Sequence, residues 1–353
     1  MTFTVDPLFE PLCDWGFDDH FCQLYRETAA PTELPGRVLR ADRGGCVVAL
    51  PSGEVHLPVA GRLLAPGGSP PTTGDFVVVS TGEVTAVLER RSAVVRVAPD
   101  PGRALQVLAA NVDVVFVVEA LGERWRPRRL ERLLVVAWES GARPVVVLTK
   151  ADRCAELDKA LADAAALAPA VKLHAVSVPG GYGVEAVAAE LAPRSTGVML
   201  GRSGTGKSTL ANALSGGAAG LLTGAARSDG KGRHTTVARE LVRLVGGALL
   251  IDTPGVRAIG LVAGDEGIEG AFAEVETLAA ACRFRDCAHD REPGCAVQEA
   301  VATGELDRSR LESYRRLLRE QARLEARADP RLQAKRAAEG RRWAKEARSL
   351  PRR

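Results

Sequence analysis

Two short stretches carry the residue types that hold a nucleotide. Gly201-Arg202-Ser203-Gly204-Thr205-Gly206-Lys207-Ser208 has the spacing G-x-x-x-x-G-K-[ST], after an apolar strand-like run and before the helical pattern STLANAL. Glycines at these places let successive backbone N–H groups face phosphate oxygens, and the helix N-terminus adds partial positive charge. Lys207 would reach the β and γ phosphates, and Ser208 would offer a hydroxyl to Mg²⁺. The second stretch, Thr149-Lys150-Ala151-Asp152, ends the run VVVLTKAD. A carboxylate at Asp152 can accept from both N1–H and the exocyclic amine of guanine, whereas adenine offers no such donor pair. Lys150 can lie along the base and tie this loop to the phosphate loop, and Ser177, closing LHAVS, matches a loop whose backbone meets the guanine carbonyl.

Three further places complete the chemistry. Ile251-Asp252-Thr253-Pro254-Gly255 supplies Asp-x-x-Gly after a strand. There Asp252 suits the Mg²⁺ shell, through water, and the Gly255 amide could sense the γ-phosphate. In GKGRHTTV, Thr235 and Thr236 are candidates for the threonine that closes over Mg²⁺, with Thr236 favoured. Val256 follows Gly255, where many GTPases carry a water-orienting Gln, so intrinsic hydrolysis is expected to be slow. His234 is the candidate to orient water in its place, or it packs in a loop without chemical duty.

These parts come in an unusual order. The base-reading loop precedes the phosphate loop by about fifty residues. The chain therefore runs base loop, serine loop, phosphate loop, switch threonine, Asp-x-x-Gly, the order of a GTPase cut open and rejoined. Such a circular permutation is physically cheap because domain termini often lie close together.

A third chemistry stands apart. Cys282, Cys287, His289 and Cys295 fall within fourteen residues, three thiols and one imidazole. Four soft ligands with no open position describe a structural, tetrahedral Zn²⁺ site. The other cysteines, Cys13, Cys22, Cys46 and Cys154, are scattered, and an odd total of seven in a long chain favours metal over disulfides.

The elements that must position these groups are legible as changes of period. Between Gly36 and Arg90 the runs RVLRA, CVVAL, EVHLPV, DFVVVS and EVTAVLE read as five short strands, an OB-like barrel by count, although an SH3-like barrel would read the same. From Ala109 onward strands alternate with helices: VDVVFVV, a helix from Pro127 to Ser140, PVVVL, the helix CAELDKALADAAAL, VKLHAVS and TGVML. ELVRLVGGALLID reads as a hairpin turning at Gly246-Gly247. The expected fold is multidomain α/β: an N-terminal extension (1–35), an OB-like β-barrel (36–98), a circularly permuted P-loop GTPase domain (99–265), and a helical zinc-binding domain with a basic tail (266–353).

Composition limits the partners. The 353-residue chain has a formal charge of +3, yet residues 306–353 hold 16 Lys/Arg against 7 Asp/Glu, so the remainder is net acidic. A basic tail on an acidic body suggests an anionic partner, nucleic acid first, or else a solvated helix laced with ion pairs. No run approaches the roughly 18 apolar residues of a membrane helix. The N-terminus has no basic leader pattern, so a cytoplasmic location without membrane contact is expected. No long heptad seam demands a dimer, and a monomer is expected.

With the permuted order, GRHTT, DTPG and CRFRDCAHDREPGCAV assembled, the sequence resembles the ribosome small subunit-dependent GTPases of the RsgA family over nearly its whole length. The resemblance implies a GTPase acting late in assembly of the small (30S) ribosomal subunit, touching its rRNA, and hydrolysing GTP faster when bound there. It implies GTP binding by Thr149 to Asp152 and by Gly201 to Thr209, with Mg²⁺ beside the nucleotide, and zinc ligation by Cys282, Cys287, His289 and Cys295. The chain departs from the family pattern at Thr149, where Asn is usual, and at Ser177-Val178, where Ser-Ala is usual. Two other readings stay open: a guanine-nucleotide-dependent RNA-binding scaffold with little hydrolysis, and a small-molecule P-loop kinase, which would have no use for Lys150 and Asp152.

Overall fold

The structure is a computed structural model and describes residues 9–42, 44–65, 67–97, 105–122, 125–216, 239–252 and 265–328. Two short helices open it, α1 (Glu10–Cys13) and α2 (Asp19–Thr28), the second capped by Asp18 Oδ1, which accepts from Phe21 N at 3.2 Å. The sequence reading took these residues as a bare extension. Instead Phe9, Leu12, Phe17, Phe21 and Tyr25 are buried, and Phe21 stacks on Phe76 with ring centroids 4.0 Å apart. The first helices thus fill a core that the barrel alone leaves open.

The barrel strands are β1 (Leu34–Asp42), β2 (Gly45–Leu50), β3 (Gly53–Leu57), β4 (Phe76–Ser80) and β5 (Glu83–Val87), in the order β3-β2-β1-β4-β5 and antiparallel throughout. The outer edges meet at one bridge, Val59 to Val84, where Ala60 N donates to Val84 O and Val84 N to Pro58 O, both at 2.9 Å. A one-turn helix, α3 (Gly61–Leu64), lies between β3 and β4. The OB-like description rests on this order and on that near-closure.

Next comes a pair that the sequence reading did not separate, β6 (Ala93–Val97) and β7 (Leu105–Ala110), which form a two-stranded antiparallel sheet. Their ladder crosses the boundary between residues 98 and 99 expected from the sequence.

A six-stranded sheet follows, built from β8 (Val114–Ala120), β9 (Arg143–Thr149), β10 (Lys172–Val176), β11 (Thr196–Leu200), β12 (Glu240–Arg243) and β13 (Leu249–Asp252). Its order is β10-β9-β8-β11-β13-β12, parallel except for the β12–β13 hairpin. The central strands are apolar runs because helices cover both faces. Val115, Val117, Val146 and Leu148 face α4 (Pro127–Glu139) and α5 (Leu157–Leu167). Their neighbours Phe116, Val118, Val145 and Val147 face α6 (Val184–Ala188) and α7 (Lys207–Leu214). β11 thus lies between β8 and β13, so the sheet is not filled in chain order.

Arg37 on β1 locks the barrel to this sheet. It is fully buried, donates to Trp15 O, to Asn111 O at 3.2 Å and to Thr196 Oγ1 at 3.0 Å, and lies over the Phe76 ring. Burial pulls its pKa down to about 10, against the pull of Asp113 and Asp75, so it is charged at neutral pH.

The last unit is helical: α8 (Asp265–Ala271), α9 (Ala273–Ala279), α10 (Ala296–Thr303) and α11 (Arg308–Ala328). Buried Arg310 joins it to the sheet layer, donating to Glu131 Oε1 of α4 at 3.0 Å and to Glu274 Oε1 of α9 at 2.7 Å over the Phe272 ring. A bidentate pair from Arg132 to Glu320 repeats the connection nearer the surface.

Candidate nucleotide site and metal cluster

The loops singled out in the sequence meet at one edge of the sheet. The base loop leaves β9, the serine loop β10, the phosphate loop β11, and Asp252 ends β13. All four lie at carboxyl ends of parallel strands, where open α/β sheets bind ligands. The described backbone places Asp252 beside the phosphate loop's strand. His234, Thr235, Thr236, Gly255 and Val256 lie outside the described residues.

The phosphate loop is shaped by contact as much as by composition. Gly201 is so close to β8 that a Cβ would sit 2.2 Å from Val118 O. Gly206 takes a φ of 92° and caps α7. Ser203 and Gly204 lie exposed on the loop, and Ser208 and Thr209 are exposed in the first turn of α7. Lys207 is buried, its Nζ donating to Gly201 O at 2.7 Å and Arg202 O at 2.8 Å, so its ammonium lies over the loop.

The base loop is fastened to the phosphate loop at two points. Lys150, in the left-handed region with φ 59°, sends Nζ to Gly204 O at 2.7 Å. Thr149 Oγ1 donates to Thr205 O at 2.5 Å, and Ala151 is buried. The hydroxyl therefore makes the cross-loop contact at the position where Asn is usual. Ser177 Oγ donates to Asp152 Oδ1 at 2.7 Å and accepts from Gly180 N, which fixes the carboxylate's direction. Replacing Thr149 by Val keeps the shape and leaves the Thr205 carbonyl unpaired. A loss of about 1–1.5 kcal/mol follows, roughly a tenfold weaker grip on fluorescent GDP in an equilibrium titration. Unchanged affinity would show that the strut is dispensable.

The sequence reading passed over one pair at this site. Glu119, the single charge in the strand VVFVVEA, is fully buried beneath the phosphate loop and accepts from Arg129 Nε at 2.7 and 2.8 Å and from Nη2 at 2.5 Å. Burial raises its pKa, while Arg129, Arg202 and Lys207 pull it back. A lone acid ending an apolar strand was the available signal. A separate cavity of about 370 Å³ lies around Arg37 at the barrel junction, away from these loops.

The four cluster residues also converge, with ligand atoms all within 4.8 Å of one another. Cys282 Sγ is 3.9 Å from Cys295 Sγ and 3.6 Å from His289 Nδ1, and Cys295 Sγ is 3.5 Å from that nitrogen. Thiolates at the corners of a tetrahedron around zinc, with Zn–S about 2.3 Å, would stand about 3.8 Å apart. The donor set and its spacing therefore fit a four-coordinate metal ion, with Nδ1 as the imidazole ligand. Burial lowers the His289 pKa, which keeps the ring neutral as a ligand requires. Glu292 accepts from the N–H groups of Ala288, Asp290 and Arg291 and so folds the loop that carries His289. Gln298 Nε2 holds the His289 carbonyl at 2.5 Å.

A parallel sheet presenting base loop, serine loop and phosphate loop in this permuted order defines a circularly permuted P-loop GTP-binding protein. The model of the family described as RsgA GTPase matches residues 87–262. The chain is 44% identical to the small ribosomal subunit biogenesis GTPase RsgA of Streptomyces coelicolor, over 92% of this chain and 90% of that one. It is 42% identical to the protein of the same name from Opitutus terrae, over 95% of each. The crystal structure of YjeQ from Thermotoga maritima aligns with a TM-score of 0.62 at 25% identity, covering 82% of this chain and 99% of that one. YloQ, described as a circularly permuted GTPase, shares the fold with a TM-score of 0.60 at 24% identity, over 84% and 97%. The chain belongs to the RsgA GTPase family.

Proposed function

We propose that this chain is a GTP-hydrolysing assembly factor acting late in maturation of the small ribosomal subunit, with its turnover raised by docking on that subunit. The observation that carries this reading is the identity, across nearly the whole chain, to relatives bearing that name. The convergence of the three loops supports the nucleotide chemistry.

In this reading Asp152, aimed by Ser177, accepts from the N1–H and 2-amino groups of guanine. Lys150 flanks the base while tying its loop to Gly204. The amides of Gly201 to Thr209 and the Lys207 ammonium receive the phosphates, and phosphate oxygens replace the carbonyls that Lys207 now meets. Ser208 and Thr236 would hold Mg²⁺, Asp252 would act on it through water, and the Gly255 amide would sense the γ-phosphate. Held by these residues, Mg²⁺ would supply positive charge against the phosphates. His234 orients the attacking water, since the Val256 side chain cannot. Cys282, Cys287, His289 and Cys295 hold structural Zn²⁺, which fixes the short helices around it. The basic tail and the OB-like barrel contact rRNA, and the protein works as a cytoplasmic monomer. No helix among the described residues is long and apolar enough to cross a membrane.

The deciding experiment is GTP turnover by the purified chain, alone and with small ribosomal subunits, using large subunits and ATP as controls. The expected result is a slow basal rate, raised about a hundredfold or more by small subunits alone, the range that a supplied acid–base or water-positioning group commands. Tight GTP binding without stimulation would leave the guanine-nucleotide-dependent RNA-binding scaffold, which Val256 makes possible and Lys207, Ser208, Thr236 and Asp252 argue against.

A further inference from the structure

We propose that Tyr182 closes the base end of the nucleotide site, packing its ring against the guanine beside Asp152. The inference rests on the guanine-site reading above and adds a residue that the motifs do not single out. Tyr182 is 57% exposed, and its side chain makes no hydrogen bond or ring contact among the described residues.

Backbone pairing sets the direction of this side chain. Tyr182 N donates to Ser177 O and Ser177 N donates to Tyr182 O, both at 3.0 Å, an isolated antiparallel bridge. Residues directly opposite in such a pair carry their side chains on one face, with Cβ atoms about 5 Å apart. The Ser177 side chain marks that face, since its Oγ donates to Asp152 Oδ1 at 2.7 Å. The Tyr182 ring therefore leaves the bridge on the Asp152 side, toward the carboxylate assigned to the base. A phenol ring is long enough to reach past that carboxylate to a purine held on it.

The loop holds the ring in place. Between the paired residues run Val178, Pro179, Gly180 and Gly181, closed by Gly181 N donating to Val178 O at 3.1 Å. Pro179 stands second in this turn, where its fixed φ suits the fold-back. Directly after Tyr182, Gly183 has φ 75°, and a Cβ there would lie 2.1 Å from Ala175 O on β10. An aromatic side chain on such a loop has apolar area to bury and little backbone freedom to lose on binding. A purine face offers the matching surface, and stacking of this kind tolerates any base. In this arrangement Asp152 selects guanine, and Tyr182 excludes water from the bonds that do so, which strengthens them.

The three tyrosines of the chain make a selective test possible. Tyr25 and Tyr314 are buried, with hydroxyls donating to Glu33 O and Glu276 Oε1. Burial raises the pKa of both, which leaves Tyr182 as the open phenol. N-acetylimidazole, which acylates accessible phenols, should modify Tyr182 in the nucleotide-free full chain, read from the mass of its peptide. Saturating GDP should block that modification, and ADP at the same concentration should not. By displacement of fluorescent GDP, Tyr182→Ala should bind GDP about tenfold more weakly, and Tyr182→Phe should stay within about twofold of wild type. An unchanged thermal melt would report an intact fold in both variants. Wild-type affinity in Tyr182→Ala would overturn the proposal, whether or not GDP protects the phenol. Weaker binding without protection would also overturn it, because Tyr182 would then act through Ser177 and not on the base. If the wild-type chain binds GDP and ADP equally, the guanine reading fails, while protection and the Ala variant still decide whether Tyr182 meets the base. A chain that binds neither nucleotide would overturn both.

Discussion

Replacing Asp152 by Asn should turn a guanine site into a xanthine site. In the proposed reading both hydrogen bonds that select guanine end on the Asp152 carboxylate, and each bond to a charged group contributes about 1.5–3 kcal/mol. Losing their charge and one acceptor should weaken GDP binding at least a hundredfold, since each 1.4 kcal/mol is about a factor of ten. Xanthine carries an oxygen where guanine has its amine, and the Asn amide offers that oxygen a donor. The geometry tolerates the exchange: Asp152 Oδ1 accepts from Ser177 Oγ at 2.7 Å, and an amide oxygen can accept the same bond. Titration of wild-type and Asp152→Asn protein with fluorescent GDP and XDP checks this. Equal GDP affinity in the two proteins would mean that Asp152 does not read the base and that the purine is held elsewhere. A weakening for both nucleotides, without a gain for XDP, would point to collapse of the loop instead.

The second large effect concerns the cysteine cluster. Cys282 follows α9, and Cys295 caps α10 with its sulfur accepting from Gln298 N at 3.4 Å. Between them runs a segment without regular structure whose geometry is held chiefly by the four ligands and Glu292. Small units of this kind lack the core to fold alone, and apparent metal-binding energies of about 10–16 kcal/mol become folding energy. The purified chain should carry one zinc, and Cys295→Ser should lose it. Strong chelation should then release hydrogen-exchange protection across α9 and α10, while β8, β9 and β11 keep theirs. A metal-free chain with protected α9 and α10 would show that packing, including the Arg310 contacts, suffices. The readouts are metal analysis and exchange, so the result stands apart from GTP turnover.

Two mechanisms of specificity are combined in the nucleotide site. The phosphate loop and base loop are each short local codes, yet neither is rigid by itself. Thr149 and Lys150 reach carbonyls of Thr205 and Gly204, so the loop after β9 braces the loop after β11 and is braced by it. A mutation in either loop should therefore disturb the other, and single-site losses there are not expected to add independently.

What could be read from the amino-acid sequence by itself was local. The P-loop spacing, the Lys150–Asp152 pair and the Cys-Cys-His-Cys set are each confined to a short stretch of chain. The apolar runs of β8, β9 and β11 were visible because a strand buried on both faces tolerates almost nothing else. The permuted order was also plain, since order is the one tertiary-independent property of a chain. Tertiary structure decided the rest. α1 is only four residues long and carries Pro11, so it shows no period; α2 places Phe21, Cys22 and Tyr25 on one face, but only the contacts of Phe17 and Phe21 with Phe76 reveal what that face packs on. Arg37 meets Thr196 across 159 residues, and Arg310 meets Glu131 across 179. The approach of Arg129 and Arg202 to one cavity likewise depends on β8 and β11 becoming neighbours. A local motif is specified by residue spacing along the chain, whereas contacts between distant residues are selected by which packed arrangement buries the apolar faces and pairs the charges together.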